Sequence, residues 1–351
     1  MLVRGANHYN LTTLLQWLLG RMPIGWLQLV SNKLRFFAAG TGVAFACILV
    51  FVQLGMMGSF SQATRSTYRI LNADIMISAS DSNGLTDGSN VARRRMFQAL
   101  AVPGVKEALP VFVGKTFWLQ EDGNRMELTV IGLDPTRVSF VGPVLDQVDV
   151  LQLTNHALLD RRSRGLKPEQ LKGVSPQTPL LLEANHQLLT VAGTISLGGG
   201  FAGDGFLIVS DQTFLRLFPA RSSAAPNHIL LNVESGQNPE VVAAQIAESL
   251  AVDSIQVRSF FRAVEDDVIY QTTRRPVGLI FGFGVAIGTL VGLVIVYQIL
   301  STDVADHLSE YATFKAMGYP ASFFRSVVLE EAVVLALVGF FPALLVTLGI
   351  Y

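Results

Sequence analysis

The chain has 351 residues, half of them apolar and only 15% charged, and its 26 basic and 27 acidic residues leave a formal net charge of −1. With a positive mean hydropathy, this balance excludes an ordinary soluble globular protein as the first reading, and it leaves no basic footprint for nucleic acid. The single cysteine, Cys47, sits in an apolar run, which excludes an internal disulfide framework.

In chain order, residues 11–30 interleave leucines, Trp17 and Trp26 with Gln and Thr and are broken by Gly20 and Pro23. Two indoles flanking an amphipathic run predict a helix lying in the membrane interface, so residues 1–35 read as a cytoplasmic or interfacial leader. Residues 36–57 carry no charge and form the first expected span, with Gly40, Gly42, Ala44 and Ala46 as small-residue faces for helix packing. Residues 1–73 contain no Asp or Glu while Arg4, Arg21, Lys33 and Arg35 precede the span, so the N-terminus is expected in the cytosol. The span is too far from the N-terminus to be a removable signal and reads as an anchor.

Residues 58–275 have soluble composition and are long enough for a core of their own. Residues 74–78 alternate as a strand, 91–101 have helical spacing, and 106–119 and 125–133 are strands joined by the turn Glu121-Asp122-Gly123-Asn124. The same grammar returns with a strand at 229–233, a helix opening at Asn238-Pro239 and running through Leu250, and a strand at 254–258. Two βαβ-type segments, 58–137 and 227–275, therefore bracket an insert, 138–226, expected to be a β-rich subdomain. Residues 276–302 are a second uncharged span and 332–351 a third, with 303–331 as the loop between them. The third run reaches the last residue without a polar flank, which reads as a chain cut short or a further helix missing.

Sites for chemistry are sparse. The glycine-rich run 197–206 lacks the Gly-Lys-Ser/Thr and the opening helix of a phosphate cradle and reads as a hairpin or contact loop. Five histidines, at 8, 156, 186, 228 and 307, are too scattered for a metal site, and nothing singles out a catalytic triad. Glu265-Asp266-Asp267 reads as a solvated helix end. No charge falls inside the expected spans, which argues against a pore or proton relay, and Glu330 and Glu331 are placed at the membrane edge. The informative stretch is 303–318: at helical spacing Leu308, Tyr311, Phe314 and Lys315 share a face, and Gly318 with Pro320 stops the helix. Such a short helix between two spans is placed to pass a movement from a soluble partner to the membrane.

Glu310-Tyr311-Ala312-Thr313-Phe314-Lys315-Ala316-Met317-Gly318-Tyr319 resembles the cytoplasmic coupling segment of FtsX-like and MacB-like permeases. Pro23-Ile24-Gly25-Trp26-Leu27-Gln28-Leu29, Lys33-Leu34-Arg35, 44–55 and 201–210 are similar to DevC-type permeases of cyanobacterial exporters, so the likeness covers nearly the whole chain. The resemblance implies an α-helical membrane permease with a large α+β periplasmic domain, four spans where three are seen, and a place in the bacterial, by this likeness cyanobacterial, inner membrane. It implies a non-enzymatic homodimer with ATP and magnesium bound by a separate ABC ATPase subunit. The further implied partners are a periplasmic membrane-fusion adaptor, a TolC-like outer-membrane channel and membrane lipids, lipids or glycolipids being the substrate class. Under it, Tyr311, Phe314 and Met317 are apolar plugs for the ATPase groove, Glu310 and Lys315 orient it, and Gly318 ends the helix. Gly199, Phe201 and Asp204 are adaptor contacts. The alternative is an FtsX-like transducer that controls a periplasmic enzyme without moving substrate, and a membrane-anchored enzyme is a second rival.

Overall fold

The structure is a computed structural model and describes residue 16 and residues 22–120, 123–198 and 203–350. The chain divides into two compact units, one built from residues 1–57 and 279–351, the other from 58–278.

The second unit is α+β. Strands β1 (Ile75–Ala79), β2 (Val105–Leu119), β8 (His228–Val233) and β9 (Ile255–Ser259) form one sheet region in the order β2-β8-β1-β9. Helix α3 (Arg94–Leu100) crosses from β1 to β2, and α6 (Pro239–Leu250) crosses from β8 to β9. Each crossover skips one strand that runs antiparallel to both its ends, since β8 pairs antiparallel with β1 and β2, and β1 with β8 and β9. The two βαβ segments are therefore not separate halves. They interleave as a split βαβ, ferredoxin-like arrangement. The reason is hydrophobic: Ile75, Ile77, Ile229 and Leu231 on one face need Met96, Ala99, Val242 and Ile246 from both helices to cover them. Helix α6 begins where Asn238 accepts the backbone N–H of Glu240 at 2.9 Å and Pro239 occupies the first turn.

The 15-residue β2 serves two sheets, pairing with β8 through Val111 and with β3 (Arg125–Leu133) from Phe112 onward. Around that second half, β3, β7 (Gly205–Ser210), β4 (His156–Asp160), β6 (Gln187–Ile195) and β5 (Leu180–Ala184) follow in order, and β5 returns to β2 through Trp118 and Ala184. Residues 138–226 are thus β-rich, but they do not fold on themselves alone: the ring closes only with the β2–β3 hairpin. Its interior holds Leu128, Val130, Leu159, Leu182, Val191 and Leu207, with Phe214 of α5 (Asp211–Leu217) among them.

One buried polar group in this unit departs from the sequence expectations, and a second was not anticipated. Asp267 of α7 (Phe260–Ile269) is not solvated: it is 4% exposed, accepts from the Tyr68 hydroxyl at 2.9 Å and from the Leu85 N–H at 3.3 Å, and orders the loop after β1. His228 is 1% exposed, with Nδ1 2.9 Å from the Ser78 hydroxyl and Nε2 2.8 Å from the Leu85 carbonyl. Nε2 faces a carbonyl, so it carries the hydrogen and Nδ1 accepts. Burial, with the Arg258 charge as a smaller contributor, pushes this imidazole down to about 4. The unfolded chain then takes up a proton that the folded one refuses, so stability is lost as pH falls from about 6.5 to about 4, on the order of 3 kcal/mol in all. In urea unfolding, the stability gap between wild type and His228→Asn is expected to be wider at pH 7 than at pH 4 by about that amount. An unchanged gap would mean that His228 titrates normally.

The first unit is helical. Helix α1 (Ile24–Ser31) precedes three long apolar helices, α2 (Lys33–Tyr68), α8 (Pro276–Asp306) and α10 (Ala321–Ile350), each long and apolar enough to cross a membrane. Small residues bring them together: a Cβ on Gly339 of α10 would lie 2.5 Å from a Val43 methyl of α2, and one on Gly42 would lie 3.3 Å from Ile295 of α8. Half of the expected leader helix at 11–30 lies outside the described residues, and the helix described in the rest runs from Ile24 to Ser31.

Candidate coupling site

Helix α8 does not stop where its charges begin. It runs past Asp303 to Asp306, and α10 begins at Ala321, eleven residues before the expected third span. The expected loop 303–331 is thereby reduced to His307, the nine-residue helix α9 (Leu308–Ala316) and a four-residue corner. Helix ends are set by hydrogen bonds rather than by hydropathy, and the ladder continues through polar residues wherever neighbouring elements receive their side chains.

The corner after α9 is local chemistry. Gly318 takes φ +93°, the left-handed region, and donates its N–H to the Lys315 carbonyl at 3.0 Å, while Tyr319 donates to the Phe314 carbonyl at 3.2 Å. Pro320 has no N–H to extend the ladder. The turn is held by rings: Phe314 meets Tyr319 and Phe323 edge-on at 5.6 and 5.9 Å, and Tyr311 meets Phe324 at 5.7 Å.

Of the residues singled out from the sequence, Tyr311 and Phe314 are half-buried and occupied by this cluster, whereas Met317 is 61% exposed. Leu308, not singled out as a plug, is 60% exposed. Lys315 is exposed and Glu310 accepts a hydrogen bond from the Gln28 amide at 3.1 Å. Lys315 and Arg325 border an apolar groove of about 740 Å³ floored by Leu300, Val304, Val328 and Leu329. Asp204 is spent internally, accepting from the Glu127 N–H at 3.0 Å, and Gly199 and Phe201 lie outside the described residues.

What sequence reasoning missed is the tie between α1 and this corner. Gln28, 7% exposed, gives its amide to Glu310 and accepts the Tyr311 hydroxyl at 3.2 Å, and the Trp26 N–H donates to Glu330 at 3.1 Å. A Cβ on Gly25 would lie 2.8 Å from the Val327 carbonyl, so only glycine lets α1 lie this close on α10. The Tyr311 phenol is pushed up, first by burial and then by the charges of Glu331, Asp303 and Glu310, and stays protonated as a donor. Arg35 at the start of α2 reaches Asp306 and lies 3.9 Å from Asp303. Glu330 and Glu331, expected at the membrane edge, are 8% and 0% exposed. Two adjacent carboxylates starting an apolar run were the available signal. Among the described residues no cluster of His, Cys, Asp and Glu could hold a metal ion.

Residues 282–350, which take in most of α8, all of α9 and α10, match the model of the family described as FtsX-like permease C-terminal. A search of curated proteins finds no match. Among solved structures, the chain is similar to the extracellular domain of a noncanonic ABC-type transporter, YknZ, from Gram-positive bacteria, at 14% identity over 52% of this chain and 98% of that one, with a TM-score of 0.37. It is also similar to the periplasmic region of MacB from Actinobacillus actinomycetemcomitans, at 12% identity over 59% of this chain and 96% of that one, with a TM-score of 0.38.

Proposed function

We propose that this chain is the membrane subunit of an ABC-type exporter of the FtsX/MacB architecture and DevC-like type. In this reading α9 docks on a separate cytosolic ATPase, and its displacement moves α8 and α10, which carry the movement to the unit formed by residues 58–278. The observation that supports the reading best is a nine-residue helix held between two uninterrupted apolar helices of 31 and 30 residues, inside the segment that matches the permease family. A helix so short has little stability of its own. Its shape is set by the aromatic corner and by Gln28, so a push on it is passed to its neighbours instead of being absorbed.

Met317 and Leu308 supply the exposed apolar contacts, Lys315 adds charge, and Tyr311 and Phe314 hold the corner rigid from within. The chain works as a homodimer, with a periplasmic adaptor and a TolC-like channel completing the path for a lipid or glycolipid substrate. Bilayer sidedness tests the reading. With Cys47→Ala as background, a membrane-impermeant maleimide should label Met317→Cys only in inverted vesicles and Glu248→Cys, on the exposed side of α6, only in intact spheroplasts. Labelling of both from one side would leave no route from the cytosol to the outer unit and would end the proposal.

A further inference from the structure

Glu331 is fully buried, and among the described residues neither of its carboxyl oxygens has a hydrogen-bond partner; the same is true of Asp303 Oδ2. The two carboxyl groups, one from the end of α8 and one from α10, both lie against α1, Glu331 under Gly25 and Asp303 in the cleft that Gln28 lines one turn further on. A buried carboxylate with no donor is among the most costly groups a fold can hold, and it is neutralised before it is tolerated.

Among the described residues the donors that the neighbouring elements bring here are committed elsewhere. From α1, the Trp26 N–H goes to Glu330 and the Gln28 amide to Glu310. From α9, the Tyr311 hydroxyl goes to Gln28. His307 directs Nδ1 to the Asp303 backbone carbonyl at 3.0 Å, with the Asp303 carboxylate farther off at 3.6 Å. Arg35 of α2 holds Asp306 closely and leaves Asp303 at 3.9 Å. Glu330 beside Glu331 and Glu310 on α9 add only negative charge. A metal ion lacks a third ligand among the described residues. What remains is the one ligand that needs no further donor set.

We infer that Asp303 and Glu331 form a proton-binding site, in which Glu331 carries the hydrogen and donates it to the carboxylate of Asp303, which keeps the partial support of Arg35. One hydrogen satisfies the pair and removes one of two buried negative charges. The site has a lid. The α1 backbone lies on it at Gly25, where a Cβ would be 3.0 Å from Glu331 Cγ, and Gln28 latches α1 to α9. Withdrawal of α1 or tilting of α9 admits water, and the proton then leaves for solvent. Coupling-helix position and proton occupancy are linked, whatever soluble partner α9 meets.

Infrared spectroscopy of the purified full chain, with carbon-13 at the glutamate carboxyls, reads the site directly. The label separates Glu331 from the buried aspartates Asp160 and Asp267. At neutral pH one protonated-acid C=O band should move with the label. It should be lost in Glu331→Gln, which keeps the wild-type melting temperature because its amide N–H donates to Asp303 as the acid did. In Asp303→Asn the band should remain and rise in frequency, its acceptor weakened. A wild-type spectrum with no label-sensitive acid band at neutral pH would overturn the inference whether or not either variant folds. So would a band unchanged in Glu331→Gln.

Discussion

Gly132→Leu should destabilise the unit of residues 58–278 by about 3 kcal/mol, the top of the usual range for overpacked cores. A Cβ at residue 132 would stand 2.6 Å from the Phe214 Cβ and 2.9 Å from its Cγ. Phe214 has no room to retreat: it is fully buried, its ring lies 5.5 Å from Phe112 and 4.6 Å from Phe218, and Phe218 is itself pressed on Gly114. The clash therefore falls on the ring of strands, through the β3 pairings to β2 and β7. For a unit of this size the loss corresponds to a fall in melting temperature of about 10 °C. Adding Phe214→Ala should return part of it by vacating the volume, a coupling that independent sites would not show. Wild-type stability in Gly132→Leu would mean that α5 does not seat where described.

The elements governed by local chemistry were legible in the sequence. The β2–β3 hairpin was marked by Asp122-Gly123, α6 by Asn238-Pro239, and the end of α9 by Gly318 and Pro320, because turns and caps depend on neighbours a few residues away. Closure of the strand ring was not legible. It rests on β3 lying parallel to β7, some 70 residues on, and on one contact from Trp118 to Ala184, and no local pattern encodes pairings at that distance.

The carboxylates failed for a related reason. An apolar window ends at the first charge, so Asp303 was assigned to the loop 303–331 and Glu330 and Glu331 to the membrane edge. The helices run on, and α1 covers residues about 300 positions away in sequence. Asp267 repeats the lesson, since its partners Tyr68 and Leu85 lie nearly 200 residues upstream.

Among the residues of α9 and its corner, Met317 tests the coupling account best. Phe314→Asp would also break the contacts with Tyr319 and Phe323, so a loss there would mix docking with folding. Met317 is exposed and makes none of the ring contacts, so Met317→Asp places a charge on the surface offered to the partner and leaves the corner intact. An apolar anchor at the centre of an interface contributes about 2 kcal/mol or more, roughly a thirtyfold change in affinity. The decisive measurement is the amount of ATP-hydrolysing subunit recovered with the chain from membranes, together with its ATP turnover. The account predicts that Met317→Asp reaches the membrane at wild-type level but recovers less than about a tenth of the partner and its turnover. Equal recovery and equal turnover in the variant would contradict it.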